Sequence, residues 1–168
     1  IPDSVFLGIN RDLTIKEFHL LKKKGIGGAI IFASGFNEEK DGESFSLELD
    51  RAAGDIPYIG PNCYGFANFF DRVAMWPDQV TGKSLDRGVA FISQSGTISI
   101  TVMGQRRSLP LGYVITVGNQ QRLAAEDLIQ YCAEDDRVSA IGLYLEGILD
   151  VPNFIDSVFS FSNLFLKF

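Results

Sequence analysis

Short apolar runs alternate with helical segments along most of this chain, and that alternation constrains its fold more than any other feature. Ser4 to Ile9 is an apolar run, Thr14 to Lys24 has helical spacing, and Gly28 to Phe32 is a candidate buried strand. Ser44 to Ala53 reads as a second helix and Ile56 to Ile59 as a third short strand. Strands separated by helices pair in parallel, with each helix forming a right-handed crossover. The first helix opens on cap signals at Asp12 and Thr14, and Ile15, Phe18 and Leu21, with Leu20 at the margin, form its apolar face. The run "GIGGA", Gly25 to Ala29, follows that helix and enters a strand. This is the wrong order for a dinucleotide fingerprint and is explained as a C-terminal cap.

The stretch Gly60 to Gly88 interrupts the rhythm with prolines, glycines and polar residues, and is expected to connect two α/β units. The alternation then resumes. Strand Val89–Ser93 leads to a helix over 96–107, strand Tyr113–Val117 to helix Leu123–Cys132, and strand Ala140–Leu145 to a helical segment from Pro152. The second unit is therefore expected to be another parallel α/β layer of flavodoxin-like type, with Tyr113–Val117 as its central strand.

Composition narrows the function classes. A net charge of −6, with no basic run beyond Lys22-Lys23-Lys24, argues against a nucleic-acid surface. Two cysteines, Cys63 and Cys132, do not make a disulfide framework and suit a reducing, cytoplasmic setting. A single histidine, His19, speaks against a zinc site, so no metal is expected. The sequence holds no apolar run long enough to span a bilayer, and no membrane association is expected. The chain opens on Ile1 directly before a strand-like segment and is expected to be a piece of a longer protein.

In open parallel sheets, ligands collect at the carboxyl ends of the strands. Three such ends in the second unit are polar: Ser93-Gln94-Ser95-Gly96-Thr97, Thr116-Val117-Gly118-Asn119-Gln120, and Glu146-Gly147. The first leads into a helix, whose unpaired N–H groups suit a phosphate. Gly96 allows close backbone approach, and Ser95 and Thr97 offer hydroxyls; the competing explanation is ordinary N-capping by Ser95. A serine-hydrolase elbow fails, because position 97 is Thr where G-x-S-x-G centred on Ser95 needs Gly, and the sole histidine precedes the serine. Glu146 follows "IGLYL", a strand expected to be buried on both faces, and could accept a hydrogen bond from an imidazole or serve as a solvated strand-end charge. Glu126 and Asp127 lie in a helix as solvent-facing or capping groups. "FASGF" could touch a ligand through Ser34 and Gly35, whereas Cys63 lacks basic neighbours in sequence and is expected to be structural.

Taken in order, "ASGF", "GPNCYG", "VAFISQSGTISI", "VITVGNQ" and "EDLIQYCAEDDRVSAIGLYLEGI" resemble the NDP-forming acyl-CoA synthetases, over roughly Val5 to Gly147. These include the ADP-forming acetate–CoA ligases and the α subunit of succinyl-CoA synthetase. The resemblance implies that residues 1–70 are the C-terminal part of a Rossmann-like CoA-binding domain, 71–87 a linker, and 88–168 a flavodoxin-like parallel α/β ligase domain incomplete at its C-terminus. It implies CoA, a carboxylic acid and Mg-ATP as reactants, the last held by an ATP-grasp domain or subunit, and an oligomer in the complete protein. An acyl phosphate and a phosphohistidine would carry the phosphoryl group. Ser95, Gly96 and Thr97 match the turn that holds the phosphate, Glu146 the glutamate that contacts the phosphorylated histidine, and Cys63 a cysteine nearby. Asn10, Ser34 and Gly35 fall where the family lines its CoA cleft.

The departures carry equal weight. The family's glycine-rich CoA loop is absent ahead of Ile1, and no histidine follows Glu146. A phenylalanine-rich stretch after Pro152 stands where the family has a helix and a further strand. The chain alone is expected to be inactive. The alternative is a non-catalytic CoA- or phosphate-binding regulatory relative that kept the sheet and lost the histidine.

Overall fold

A computed structural model describes residues 4–7, 11–32, 39–105 and 108–165. The fold is α/β, built on two sheets. The first has the order β1-β2-β3, with β1 Ser4–Leu7, β2 Gly28–Ile31 and β3 Tyr58–Ile59 all parallel. Helices α1, Arg11–Lys22, and α2, Glu39–Ala53, make the crossovers. Phe18 of α1, Phe45, Leu49, Ala52 and Ala53 of α2, and Ala29, Ile31 and Tyr58 of the strands close this core. Leu20, placed at the margin of the apolar face, is 52% exposed. Gly25, at a φ of 79°, accommodates the left-handed backbone that ends α1, as the "GIGGA" reading requires.

The second sheet has the order β5-β4-β7-β6-β8. Its parallel members are β6 Gly88–Ser93, β7 Leu111–Thr116 and β8 Val138–Tyr144, joined through α3 Gly96–Met103 and α4 Ala125–Ala133. The strand order corrects one expectation: among the three parallel strands it is β6, not the Tyr113 strand, that lies between the other two. The chain steps from β6 to β7 on one side and then crosses back over β6 to β8. This is the 2-1-3 order of the flavodoxin-like class. Alternate β6 residues serve opposite layers. Ala90 and Ile92 pack with Leu128, Ile129 and Cys132 of α4, while Phe91 packs with Met103 and Val102 of α3. Burying side chains such as Ile92 and Ile129 contributes about 1.5–3 kcal/mol each.

Two further findings depart from the sequence reading. The stretch expected to be a plain connection supplies β4, Phe66–Asn68, and β5, Val73–Met75, which add antiparallel strands to the edge of β7. Strands of three residues are too short to show a period of two. Strand β8 is not covered on both faces: Leu143 and Tyr144 are 38% and 41% exposed, because β8 is the edge strand among the described residues. The phenylalanine-rich stretch forms α5, Val151–Phe165, with Phe154 and Phe161 packed against the core around α4.

At the amino end of this sheet Arg137 fastens the β4–β5 hairpin. Its guanidinium donates to Asp135 (2.8 and 2.9 Å), to Asp71 (2.9 Å) and to the Tyr113 hydroxyl (3.2 Å), and lies 4.6 Å from the centre of the Phe70 ring. The Tyr113 hydroxyl in turn donates to Asp135 at 2.7 Å. Hydrogen bonding to Arg137 holds the Asp135 and Asp71 carboxyls below the usual carboxylate range.

Candidate functional site

In the 2-1-3 order the first and third strands lie side by side while their following helices leave in different directions, which opens a crevice at their carboxyl ends. Here those strands are β6 and β8, and Ser93 pairs with Tyr144 at the end of the ladder. The backbone past β6 donates from Gln94 to the Tyr144 carbonyl (2.9 Å), and the Val117 amide donates to the Ser93 carbonyl (2.9 Å). All three polar strand ends therefore meet at one edge. Ser95 and Glu146 lie immediately beyond the paired residues of adjacent strands.

The turn into α3 is built by hydroxyls. Buried Ser93 donates from Oγ to the Ser95 carbonyl (2.9 Å) and accepts the Ser95 amide (3.0 Å). Ser95 is the N-cap, its Oγ accepting the Ile98 amide at 3.3 Å. Ser99 Oγ donates to the Ser95 carbonyl at 3.0 Å. The amides of Gly96 and Thr97 find no acceptor among the described residues, as expected for the first turn of a helix. Thr97 is exposed, and Ser95 and Gly96 are half-buried. Capping and anion binding are thus compatible here, because the cap uses the Ser95 oxygen and leaves two amides without an acceptor among the described residues.

Gly96 has a second reason to be glycine. A Cβ placed on it would stand 2.2 Å from the Tyr64 ring. Tyr64 comes from the loop after β3 and meets Phe32 edge-on at 5.4 Å and Trp76 at 5.5 Å. One side of the α3 terminus is therefore walled by an aromatic ring, and sequence reasoning, which gave Gly96 to backbone approach alone, missed this contact. The wall is continuous with the joint between the sheets. Gly118, at φ 56°, lets its loop lie against the Pro61 carbonyl, which a Cβ would approach to 2.2 Å. Beyond it Asn119 donates to the Pro61 carbonyl (2.9 Å), Gln121 to that of Gly60 (3.1 Å) and Leu123 to that of Tyr58 (3.2 Å).

Glu146 is exposed on the turn after β8, and that turn is tied down by two glutamines. Gln94 Oε1 accepts the amides of both Glu146 and Gly147, the latter at 2.9 Å. Gln120 donates from Nε2 to the Gly147 carbonyl (3.1 Å) and accepts the Ala125 amide on Oε1 (2.9 Å). Both residues lie in the polar strand ends, yet bonds to a turn 53 residues away from Gln94 and 27 from Gln120 leave no local sequence signal. Asp127 caps α4 by accepting the Ala124 amide (2.9 Å), whereas Glu126, read as solvent-facing or capping, is buried.

Cys63 lies behind the crevice wall. Its Sγ is 3.4 Å from the carbonyls of both Ile31 and Ile59, and burial pushes the thiol up to about 12. It is a neutral clip across the ends of β2 and β3. Asn10, Ser34 and Gly35, assigned to the CoA cleft, lie outside the described residues. His19 is exposed on α1, in the first unit. A cavity of about 660 Å³ between Gly82, Lys83, Met103 and Leu109 lies at the opposite end of α3 and joins none of these groups. No helix among the described residues is long and apolar enough to cross a membrane.

Residues 86–163 match the succinyl-CoA ligase like flavodoxin domain. The chain is 31% identical over 170 residues to acetate–CoA ligase [ADP-forming] I of Archaeoglobus fulgidus, a match covering 92% of this chain and 24% of that protein. It is 34% identical over 139 residues to acetate–CoA ligase [ADP-forming] II subunit alpha of Pyrococcus furiosus, covering 80% of this chain and 30% of the subunit. The dinucleotide forming acetyl-coenzyme A synthetase 1 of Candidatus Korarchaeum cryptofilum, solved in complex with phosphate and ADP, superposes with a TM-score of 0.85 at 29% identity, over 95% of this chain and 35% of that one. The chain thus spans about a quarter to a third of the length of these relatives.

Proposed function

Since the chain belongs to the NDP-forming acyl-CoA synthetases, we propose that it supplies the phosphoryl-handling edge of an acid–CoA ligase. The complete enzyme would convert a carboxylic acid, CoA and ATP into acyl-CoA, ADP and phosphate. A histidine takes the γ-phosphoryl group of ATP and passes it to the acid, and the CoA thiol then displaces phosphate from the acyl phosphate. Residues before β4 would belong to a Rossmann-like CoA-binding domain, with Asn10, Ser34 and Gly35 at its cleft. Mg-ATP would be held by a grasp domain or subunit, within a cytoplasmic oligomer.

The observation that carries this reading is the pairing of β6 with β8, which brings the helix terminus with the unpaired amides of Gly96 and Thr97 next to the turn bearing Glu146. The amides, with the positive end of the α3 dipole, suit the peripheral oxygens of a phosphoryl group. The Ser95 and Thr97 hydroxyls can donate to the same group. Glu146 would accept a hydrogen bond from the imidazole nitrogen opposite the reacting one, which fixes the tautomer and stabilises the charge that develops on the ring.

In the complete enzyme, Glu146→Gln is expected to slow phosphoenzyme formation from acetyl-CoA and labelled phosphate about 10–100-fold, the range for an orienting partner. Its melting temperature should not move, because the side chain is exposed. Phosphoenzyme formation at the unaltered rate would contradict the role, and absence of any phosphoenzyme in the parent protein would favour the regulatory alternative.

A further inference from the structure

The turn that carries Glu146 has little to hold it in place. It follows the edge strand β8, Ile148 and Leu149 beyond it are exposed, and a Cβ on Gly147 would meet nothing within 4 Å. Packing therefore does not fix where the carboxylate stands. The hydrogen bonds that the backbone of Glu146 and Gly147 makes among the described residues go to the side chains of Gln94 and Gln120.

These two amides come from different strand ends. Gln94 sits between β6 and the N-cap Ser95, so one residue links the turn into α3 to the turn after β8. Its Oε1 accepts two successive amides, a fork that sets the direction of the backbone at Glu146. Gln120 is buried to 3% exposure and has both ends of its amide engaged, one with Gly147 and one with the first residue of α4. It also holds a left-handed backbone at φ 56°, a conformation that a residue with a side chain keeps only where its surroundings impose it. Sidedness agrees with this arrangement: Gln94 reaches the turn from the α3 side, and Gln120 from the loop docked on Gly60 and Pro61.

We propose that Gln94 and Gln120 are positioning residues for phosphoryl transfer, acting through Glu146 by fixing its turn at a set distance from the α3 terminus. The inference rests on the role given above to Glu146. It makes the separation of anion and carboxylate a property of two side-chain amides rather than of the sheet alone. A small displacement of such a group is enough to cost a large part of the rate.

The test is a double-mutant cycle in the complete enzyme, reading phosphoenzyme formation from acetyl-CoA and labelled phosphate. Gln94→Met and Gln120→Met are each expected to slow it about 10-fold, with the KM for CoA unchanged. Combined with Glu146→Gln, neither is expected to slow it further, because both act through the same carboxylate. Additive losses in the double variants, with Glu146→Gln itself slow, would overturn the positioning role and leave the reading of Glu146 standing. A normal rate in Glu146→Gln alone would overturn both. Should buried Gln120→Met fail to fold, the half-buried Gln94→Met completes the cycle by itself.

Discussion

At the amino end of the second sheet, Arg137 is bonded to Asp135, Asp71 and Tyr113 and lies over Phe70. At the carboxyl end the amides of Gly96 and Thr97 have no acceptor among the described residues and Glu146 stands exposed. Both ends are polar and charged. The first spends its charge internally, each carboxylate bonded to the guanidinium, and so fastens a hairpin to the sheet. The second spends its internal bonds on positioning, through Ser93, Gln94 and Gln120, and leaves its outward groups available. Saturation, not polarity, separates the structural end from the candidate site.

The largest effect should come from the wall behind the open end. Gly118→Val places a branched side chain at φ 56° against the Pro61 carbonyl. It is expected to cost about 3–4 kcal/mol in chemical denaturation, and to loosen the joint between the sheets. A cost within experimental error would mean that the two units do not bear on each other at Pro61.

At the saturated end, Arg137→Met is expected to cost about 1–2 kcal/mol, reduced by the partial exposure of the cluster. Phosphoenzyme formation in the complete enzyme should be unaffected. A slowed transfer with unchanged stability would erase the distinction between the two ends.

Acid sensitivity is the smallest of these effects. Because Arg137 holds the Asp135 and Asp71 carboxyls low in the folded state, their contribution is fully present above the ordinary carboxylate pKa of about 4 and is lost as pH falls through the lowered folded values. Melting temperature should therefore fall more steeply below about pH 4 in the parent protein than in Arg137→Met. Parallel curves for the two would show that the cluster does not couple to folding.

What the sequence made legible follows from which signals are local. The alternation of strands and helices, the polar ends of β6, β7 and β8, and the Ser95 cap are all written in neighbouring residues. Strand order is not: placing β6 rather than β7 between the other two parallel strands depends on where the α4 crossover returns, and no residue in either strand encodes that. The exposure of β8 was misread for the same reason, since "IGLYL" is as apolar at an edge as it would be inside. Phe66–Asn68 and Val73–Met75 are too short to show a period. The Tyr64 ring over Gly96, the glutamine ties on the Glu146–Gly147 turn and the Asp71–Arg137 pair join residues 27 to 66 positions apart, and only folding brings them together.

The most direct measurement is the position of a bound anion in crystals of the complete enzyme soaked with arsenate, a phosphate analogue that anomalous scattering can locate. The account predicts arsenate within hydrogen-bonding distance of the Gly96 and Thr97 amides, on the side of α3 that faces the Glu146 turn. Arsenate bound at Arg137 or elsewhere, with the α3 terminus empty, would contradict it.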